Sequence, residues 1–162
     1  MSLDENNRDL LVKMHLEKTR QEMSDAELLH NAGSDGSAAG RIYYAIFHAV
    51  CALLIHDGIR VKSHKGAYTM FCMHYVNTGK FPQVYGKWYR DMELIREESD
   101  YNCFYNVTSD DINERIPQAR EMIDAIAKIV ENWKLKIEKA TQNNKKRRII
   151  LIKRKLRRTI TG

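Results

Sequence analysis

The chain is poor in the residues that interrupt regular structure, with two prolines and eight glycines in 162 residues. That scarcity argues for long helices over a turn-rich sheet. Cysteine is equally sparse. Cys51, Cys72 and Cys103 make an odd set with no C-x-x-C pair, which argues against a disulfide scaffold and a four-cysteine zinc site and fits a reducing cytoplasm. No apolar run approaches the ~18 residues that a bilayer span needs, so no membrane-spanning segment is expected. The opening MSLDENNRDL lacks the basic-then-apolar order of a secretory signal. The length suits one domain and is short for two.

Acidic residues are absent from one stretch. Residues 1–144 hold 18 Lys/Arg against all 21 Asp/Glu, a balance of −3. Residues 145–162 hold nine basic residues and no acid: Lys145, Lys146, Arg147, Arg148, Lys153, Arg154, Lys155, Arg157 and Arg158. The net charge of +6 therefore belongs to the C-terminal end and not to the body. Such an appendage points to polyanions or an acidic partner. IILI (149–152) between its two basic clusters matches neither a clean helical stripe nor strict alternation. A solvated extension, a nucleic-acid arm and a membrane-surface contact all remain open for it.

What is abundant is helical periodicity. Val12, Leu16, Thr19, Met23 and Ala26 recur three or four apart and predict an amphipathic helix over 6–31, closed by Gly33 in the left-handed region. Ser34 or Asp35 is placed to cap the next helix. Residues 38–59 are apolar on nearly every side, which predicts the central, most buried helix. A third helix is expected from His64 to Asn77 and a fourth around Val84, Trp88, Met92 and Ile95, with Pro82 in its first turn. The last helix, capped by Thr108 or Ser109, carries Ile116, Ala119, Ile123, Ile126, Val130, Trp133 and Ile137 as a seam. Pro117 within it predicts a kink or a fresh start. The expected architecture is all-α: an up-and-down antiparallel four-helix bundle with an additional short helix over residues 1–140, then a basic C-terminal extension over 141–162.

Several stretches together resemble the HEPN domain family. They are RIYYAIFH (41–48) within 38–54, HKG (64–66), the span from Phe71 to GKFP (79–82), REESDY (96–101), and Ile116 through Ile126. The match runs over about residues 10–130 in order. The resemblance implies a small helical bundle, a homodimer, and a partner that is a minimal nucleotidyltransferase in a toxin–antitoxin-like pair. It also implies metal-independent endoribonuclease chemistry wherever the family's Arg-to-His motif is intact, and no cofactor.

That chemistry has clear physical demands. Cleavage through the 2′-hydroxyl needs a proton acceptor and donor near neutral pH, a task for His. It also needs a permanent planar cation on the phosphate, a task for Arg. Here the corresponding positions are Arg96, Asp100 and Tyr101, with Tyr101 where the family has His. A phenol of ordinary pKa ~10 is a poor base at neutral pH, so ribonuclease activity is not expected to be strong. Arg41 and His48 satisfy the loose spacing on the second helix, seven residues and about 10.5 Å apart on one face. A structural role for them is the competing expectation: Arg paired with a carboxylate, His with a hydrogen-bond partner. His48, His64 and His74 offer no compact metal-ligand pair. Tyr101 is also the candidate acceptor for a nucleotide added by the partner. Two function classes emerge: a HEPN-type protein that acts on or binds RNA or nucleotide, and a non-catalytic homodimeric scaffold.

Overall fold

A computed structural model describes the backbone of residues 5–160 and the side chains of residues 7–132, Gln142 and Lys146. It contains α1 (Glu5–Asn31), α2 (Asp35–His56), α3 (His64–Phe71), α4 (Gln83–Tyr101) and α5 (Ser109–Ile160), with a π-helical turn, Cys72–Val76, prolonging α3. No strand occurs among the described residues. Two compact units divide the chain, Met1–Ala127 and Lys128–Gly162. The first holds the bundle, and the second is the continuation of α5.

Each junction has a local cause. Gly33 takes φ 74° after α1, so its N–H reaches the His30 carbonyl at 2.9 Å while the Ser34 N–H reaches that of Leu29 at 2.8 Å. This closes the orphan carbonyls of the last turn. Ser34 is the N-cap of α2 but makes no side-chain cap bond. Asp35 makes none either, because His30 Nδ1 takes its carboxylate at 2.6 Å. Ser63 caps α3 by accepting from the Gly66 N–H at 3.0 Å. Pro82 sits at the N-cap of α4, one residue earlier than expected. Before α5, the Thr108 N–H donates to Asp111 at 2.9 Å and the Asp111 N–H returns to the Thr108 hydroxyl at 3.2 Å, a reciprocal capping box.

The bundle closes as a ring of antiparallel neighbours. Between α1 and α2, Glu22 meets Arg41 and His15 meets His48; one number falls as the other rises. Between α2 and α4, Gly36 lies against Ser99 and Tyr43 against Tyr89. Between α4 and α5, Tyr85 donates to Glu121 and Arg115 pairs with Asp91. Between α5 and α1, Arg120 pairs with Glu27 and Asn113 bonds to His30. α3 packs on α2 and α4 as the additional short helix.

α2 is the most deeply buried member of this ring, with thirteen buried residues between Ala38 and Leu54. It is also, at 22 residues, long and apolar enough by composition to cross a bilayer. The expectation that no segment reaches that mark is corrected: Tyr, His and Gly break the apolar run without making the helix polar. Here its faces are covered by α1, α3 and α4. The buried face of α5 is Ile112, Ala119, Met122, Ile126 and Val130, so Ala119, Ile126 and Val130 of the expected seam are buried, whereas Ile116 and Ile123 are only half-buried. The seam is thus rotated from the expected one because α5 must face both α1 and α4. Trp133 and Ile137 have side chains outside the described residues. Helix α5 is continuous through Pro117, so no fresh start occurs there. The missing Pro N–H removes one bond of a long ladder, and the buried contacts on either side hold the turn.

Candidate functional site

Two faces of α2 carry the candidate chemistry, and they meet different neighbours. On the face toward α1, Arg41 Nη1 lies 3.0 Å from Glu22 Oε2, and its guanidinium covers the Tyr44 ring at 5.1 Å. Seven residues on, His48 Nδ1 is 3.0 Å from His15 Nδ1. The seven-residue step on α2 is matched by the seven residues from His15 to Glu22 on α1. Burial pushes the His48 imidazole down to about 4, helped by charge on His15, Lys18 and His64. Burial lowers His15 as well. Both members of this sequence-predicted pair are therefore taken up, one by a carboxylate and one by an imidazole.

On the face toward α4, Arg96 lies with its guanidinium 4.8 Å from the centre of the Tyr43 ring, its side chain only 14% exposed. Gly40 has no side chain to obstruct it; a Cβ there would sit 3.9 Å from Arg96 Cγ. One turn back, Gly36 is needed more strictly, since a Cβ would fall 2.7 Å from Ser99 Oγ. These two glycines bring the start of α2 against the end of α4. The acids near Arg96 are Asp100 at 3.7 Å and Glu97 at 3.8 Å. Both lie beyond hydrogen-bond range, and Arg96 Nε is buried with no hydrogen-bond partner. The guanidinium is held in place but not saturated.

Tyr43 links this arginine to a histidine the motif does not contain. Its hydroxyl lies 2.9 Å from His64 Nδ1, at the start of α3. The His64 ring stacks on Phe47 at 4.0 Å with planes 10° apart. Burial lowers the His64 pKa, the Arg96 charge lowers it further, and Glu93 opposes both. Tyr43 is fully buried, and that burial pushes its phenol up to about 12, so it stays protonated. The structure thus brings Arg96 and Asp100 together. It leaves Tyr101, the last residue of α4, facing solvent at 80% exposure.

None of Tyr43, Phe47, His64 and His15 was placed beside Arg96 or His48 by sequence, and His64 was weighed only as a metal ligand. A signal existed for the first two, the i, i+4 spacing of Tyr43 and Phe47 on one helical face. None existed for His64 or His15, which reach α2 only through tertiary packing. His74 is half-buried on the π-helical turn. Among the described residues, no three His, Cys, Asp or Glu side chains converge as a metal site. Of the basic C-terminal residues, Lys146 is exposed. The side chains of Lys145, Arg147, Arg148, Lys153, Arg154, Lys155, Arg157 and Arg158 lie outside the described residues.

Fold and site together define a small all-helical bundle whose second and fourth helices hold a half-buried arginine on an aromatic face. A family model described as the HEPN domain matches residues 12–130. The chain belongs to the HEPN domain family. It is 32% identical over 129 residues to a UPF0332 protein of Thermotoga maritima, covering 80% of this chain and 98% of that protein. It is 40% identical over 77 residues to a UPF0332 protein of Pyrococcus horikoshii, covering 48% and 54%. A protein of Methanocaldococcus jannaschii named "Putative toxin MJ0605" is 28% identical over 127 residues, covering 77% of this chain and 94% of that one.

Proposed function

We propose that this chain is the toxin-like member of a two-protein system whose other member is a minimal nucleotidyltransferase. It is a cytoplasmic homodimer that binds RNA or nucleotide phosphate through Arg96 and is at most a weak ribonuclease. The observation that carries this reading is the state of Arg96: its guanidinium rests on the face of Tyr43, 4.8 Å from the ring centre, with its acids at 3.7 and 3.8 Å, beyond hydrogen-bond range. Such a cation gains most from a phosphate oxygen, because a charge-assisted bond adds about 1.5–3 kcal/mol when a donor is otherwise unpaired. A relative named as a toxin supports the biological side. The exposed Tyr101 supports the nucleotidyltransferase partner, because a phenol at 80% exposure can enter another protein's active site. In that reaction the Tyr101 oxygen bonds to the α-phosphorus of a nucleoside triphosphate. Pyrophosphate leaves, and the phenolic proton passes to solvent.

The test is binding and cleavage of single-stranded RNA in EDTA by wild type, Arg96→Ala and Arg41→Ala. We expect binding to fall about tenfold in Arg96→Ala, the equivalent of ~1.4 kcal/mol, and to persist in Arg41→Ala, with little cleavage in any sample. Strong cleavage by wild type that Arg96→Ala abolishes would instead make Tyr101 a working replacement for His. Co-expression with a minimal nucleotidyltransferase, read by intact mass, tests the partner.

The scaffold reading is favoured by a different observation. Phe104 is fully exposed, and Tyr101 and Tyr105, close to it in sequence, are exposed as well; exposed aromatic side chains of this kind suit a protein contact. Unchanged RNA binding in Arg96→Ala would favour it.

A further inference from the structure

The last helix changes character beyond residue 140. Its backbone is continuous to Ile160, so each residue's place on the helix surface follows from its number, at ~100° per residue. Within the second unit, Lys128–Gly162, one apolar line runs through Val130, Trp133, Ile137 and Ala140 and then meets Asn144 and Arg148. It ends there, because an amide and a guanidinium do not continue an apolar face.

A different line begins one residue later. Ile149, Ile152, Leu156 and Ile160 follow at steps of three, four and four and fall within an arc of about 80° of the helix. Taken alone, IILI shows no helical stripe. With the helix extended to Ile160, its outer two residues join Leu156 and Ile160, while Ile150 and Leu151 fall elsewhere on the circumference.

The charge is arranged about that line. None of the eight Lys and Arg residues from 146 to 158 falls within the arc. Lys146 and Lys153 border it on one side, Arg148 and Lys155 on the other. Lys145, a turn before Ile149, is in line with it, and the sequence from 139 to 162 contains no acid. Basic residues in a last turn complement the helix dipole, but that field fades within the turn. It accounts neither for the cations at 145–148 nor for the line kept clear of charge.

We propose that the end of α5 is an interfacial helix that lies on an anionic lipid surface. The aliphatic line enters the boundary between headgroups and acyl chains, and the bordering lysines and arginines meet the lipid phosphates. A nucleic-acid arm needs cations alone and gains nothing from an aliphatic line free of them. A second copy of this segment would bring two acid-free cationic helices together, which like-charge repulsion opposes. Arg96 and Tyr101 take no part in this surface.

The experiment is co-sedimentation of the full chain with vesicles of phosphatidylcholine alone and of phosphatidylcholine mixed with phosphatidylglycerol. Two double variants remove the same apolar groups: Ile152→Ser with Leu156→Ser on the line, and Ile150→Ser with Leu151→Ser off it. A third, Lys146→Glu with Lys153→Glu, reverses the charge of one border; circular dichroism confirms that each is folded. We expect saturable binding of wild type to the mixed vesicles and little to phosphatidylcholine alone. Binding should weaken about tenfold for the pair on the line, as for lost burial of two aliphatic side chains, and about as much for the charge pair. The pair off the line should change it by no more than about threefold. The proposal is overturned by no binding to the mixed vesicles, by equal binding to both kinds of vesicle, or by equal weakening in the two serine pairs. Absent vesicle binding together with single-stranded RNA binding that falls in the charge pair would make the segment a nucleic-acid arm instead.

Discussion

Arg41 and Arg96 carry the same group on neighbouring helices, yet their surroundings make different residues of them. Arg41 is 39% exposed and sits 3.0 Å from a carboxylate, Glu22, that is itself nearly buried. Arg96 is far less exposed, but its acids stand at 3.7 and 3.8 Å and its principal support is the face of Tyr43. Exposure alone would rank Arg41 as the binding residue. Pairing reverses that order: a cation neutralised at contact distance ties helices together, whereas one resting on an aromatic ring keeps its charge for a ligand.

The largest expected effect comes from removing the support common to Arg96 and His64. Tyr43→Ala should destabilise the fold by about 3–5 kcal/mol, the usual cost of truncating a buried aromatic, as read by urea denaturation. A loss under 1 kcal/mol would mean that Tyr43 does not organise this face. Next is Arg41→Ala, which leaves the nearly buried Glu22 without its partner. The expected cost is about 1–2 kcal/mol of stability, with RNA binding retained, the opposite of the pattern proposed for Arg96→Ala. Should both variants lose binding equally, the contrast between the two arginines fails.

The histidine pair sharpens the same comparison through pH. His48 is held down to about 4 when folded, against 6.5 when unfolded. Between those values the unfolded chain binds the extra proton, so this contribution to stability is fully present above pH 6.5 and is lost as pH falls toward 4. His15 shifts in the same direction. His30, raised chiefly by its bond to Asp35, works in the opposite sense. The difference between wild type and His48→Gln cancels that background. Wild type should lose more stability than the variant on going from pH 7 to pH 5, and parallel losses would exclude the pair as the cause. The smallest effect belongs to Tyr101→Phe. At 80% exposure it should shift stability by no more than about 0.5 kcal/mol, while abolishing any nucleotide mass gained on co-expression.

Much of the fold was legible because helix formation here is a local matter. The spacing of Val12, Leu16, Thr19, Met23 and Ala26 marks the face of α1 that the bundle buries, and four of these apolar residues and Thr19 are indeed buried. The all-round apolar pattern of α2 marks the centre. The buried face of α5 was less legible, since Ile116 and Met122 look equally suited to a core. Only the presence of α1 on one side and α4 on the other selects Met122. The N-cap of α2 falls at Ser34, one of the two expected positions, but no side-chain cap bond forms, and His30, five residues before Asp35 and across a turn, takes the Asp35 carboxylate.

The candidate site divides in the same way. Its motif residues, Arg96, Asp100 and Tyr101, lie within six positions of one another and could be found by reading along the chain. What surrounds them could not. Glu22 for Arg41, His15 for His48, and Tyr43 between Arg96 and His64 are pairings between helices. By itself the sequence determined which segments are helical, which helix is central and which end carries the positive charge, because periodicity and composition act over a few residues. Only the tertiary structure decided which arginine is neutralised and which imidazole loses its proton affinity. Those properties depend on burial and on charges brought within a few ångströms by distant parts of the chain.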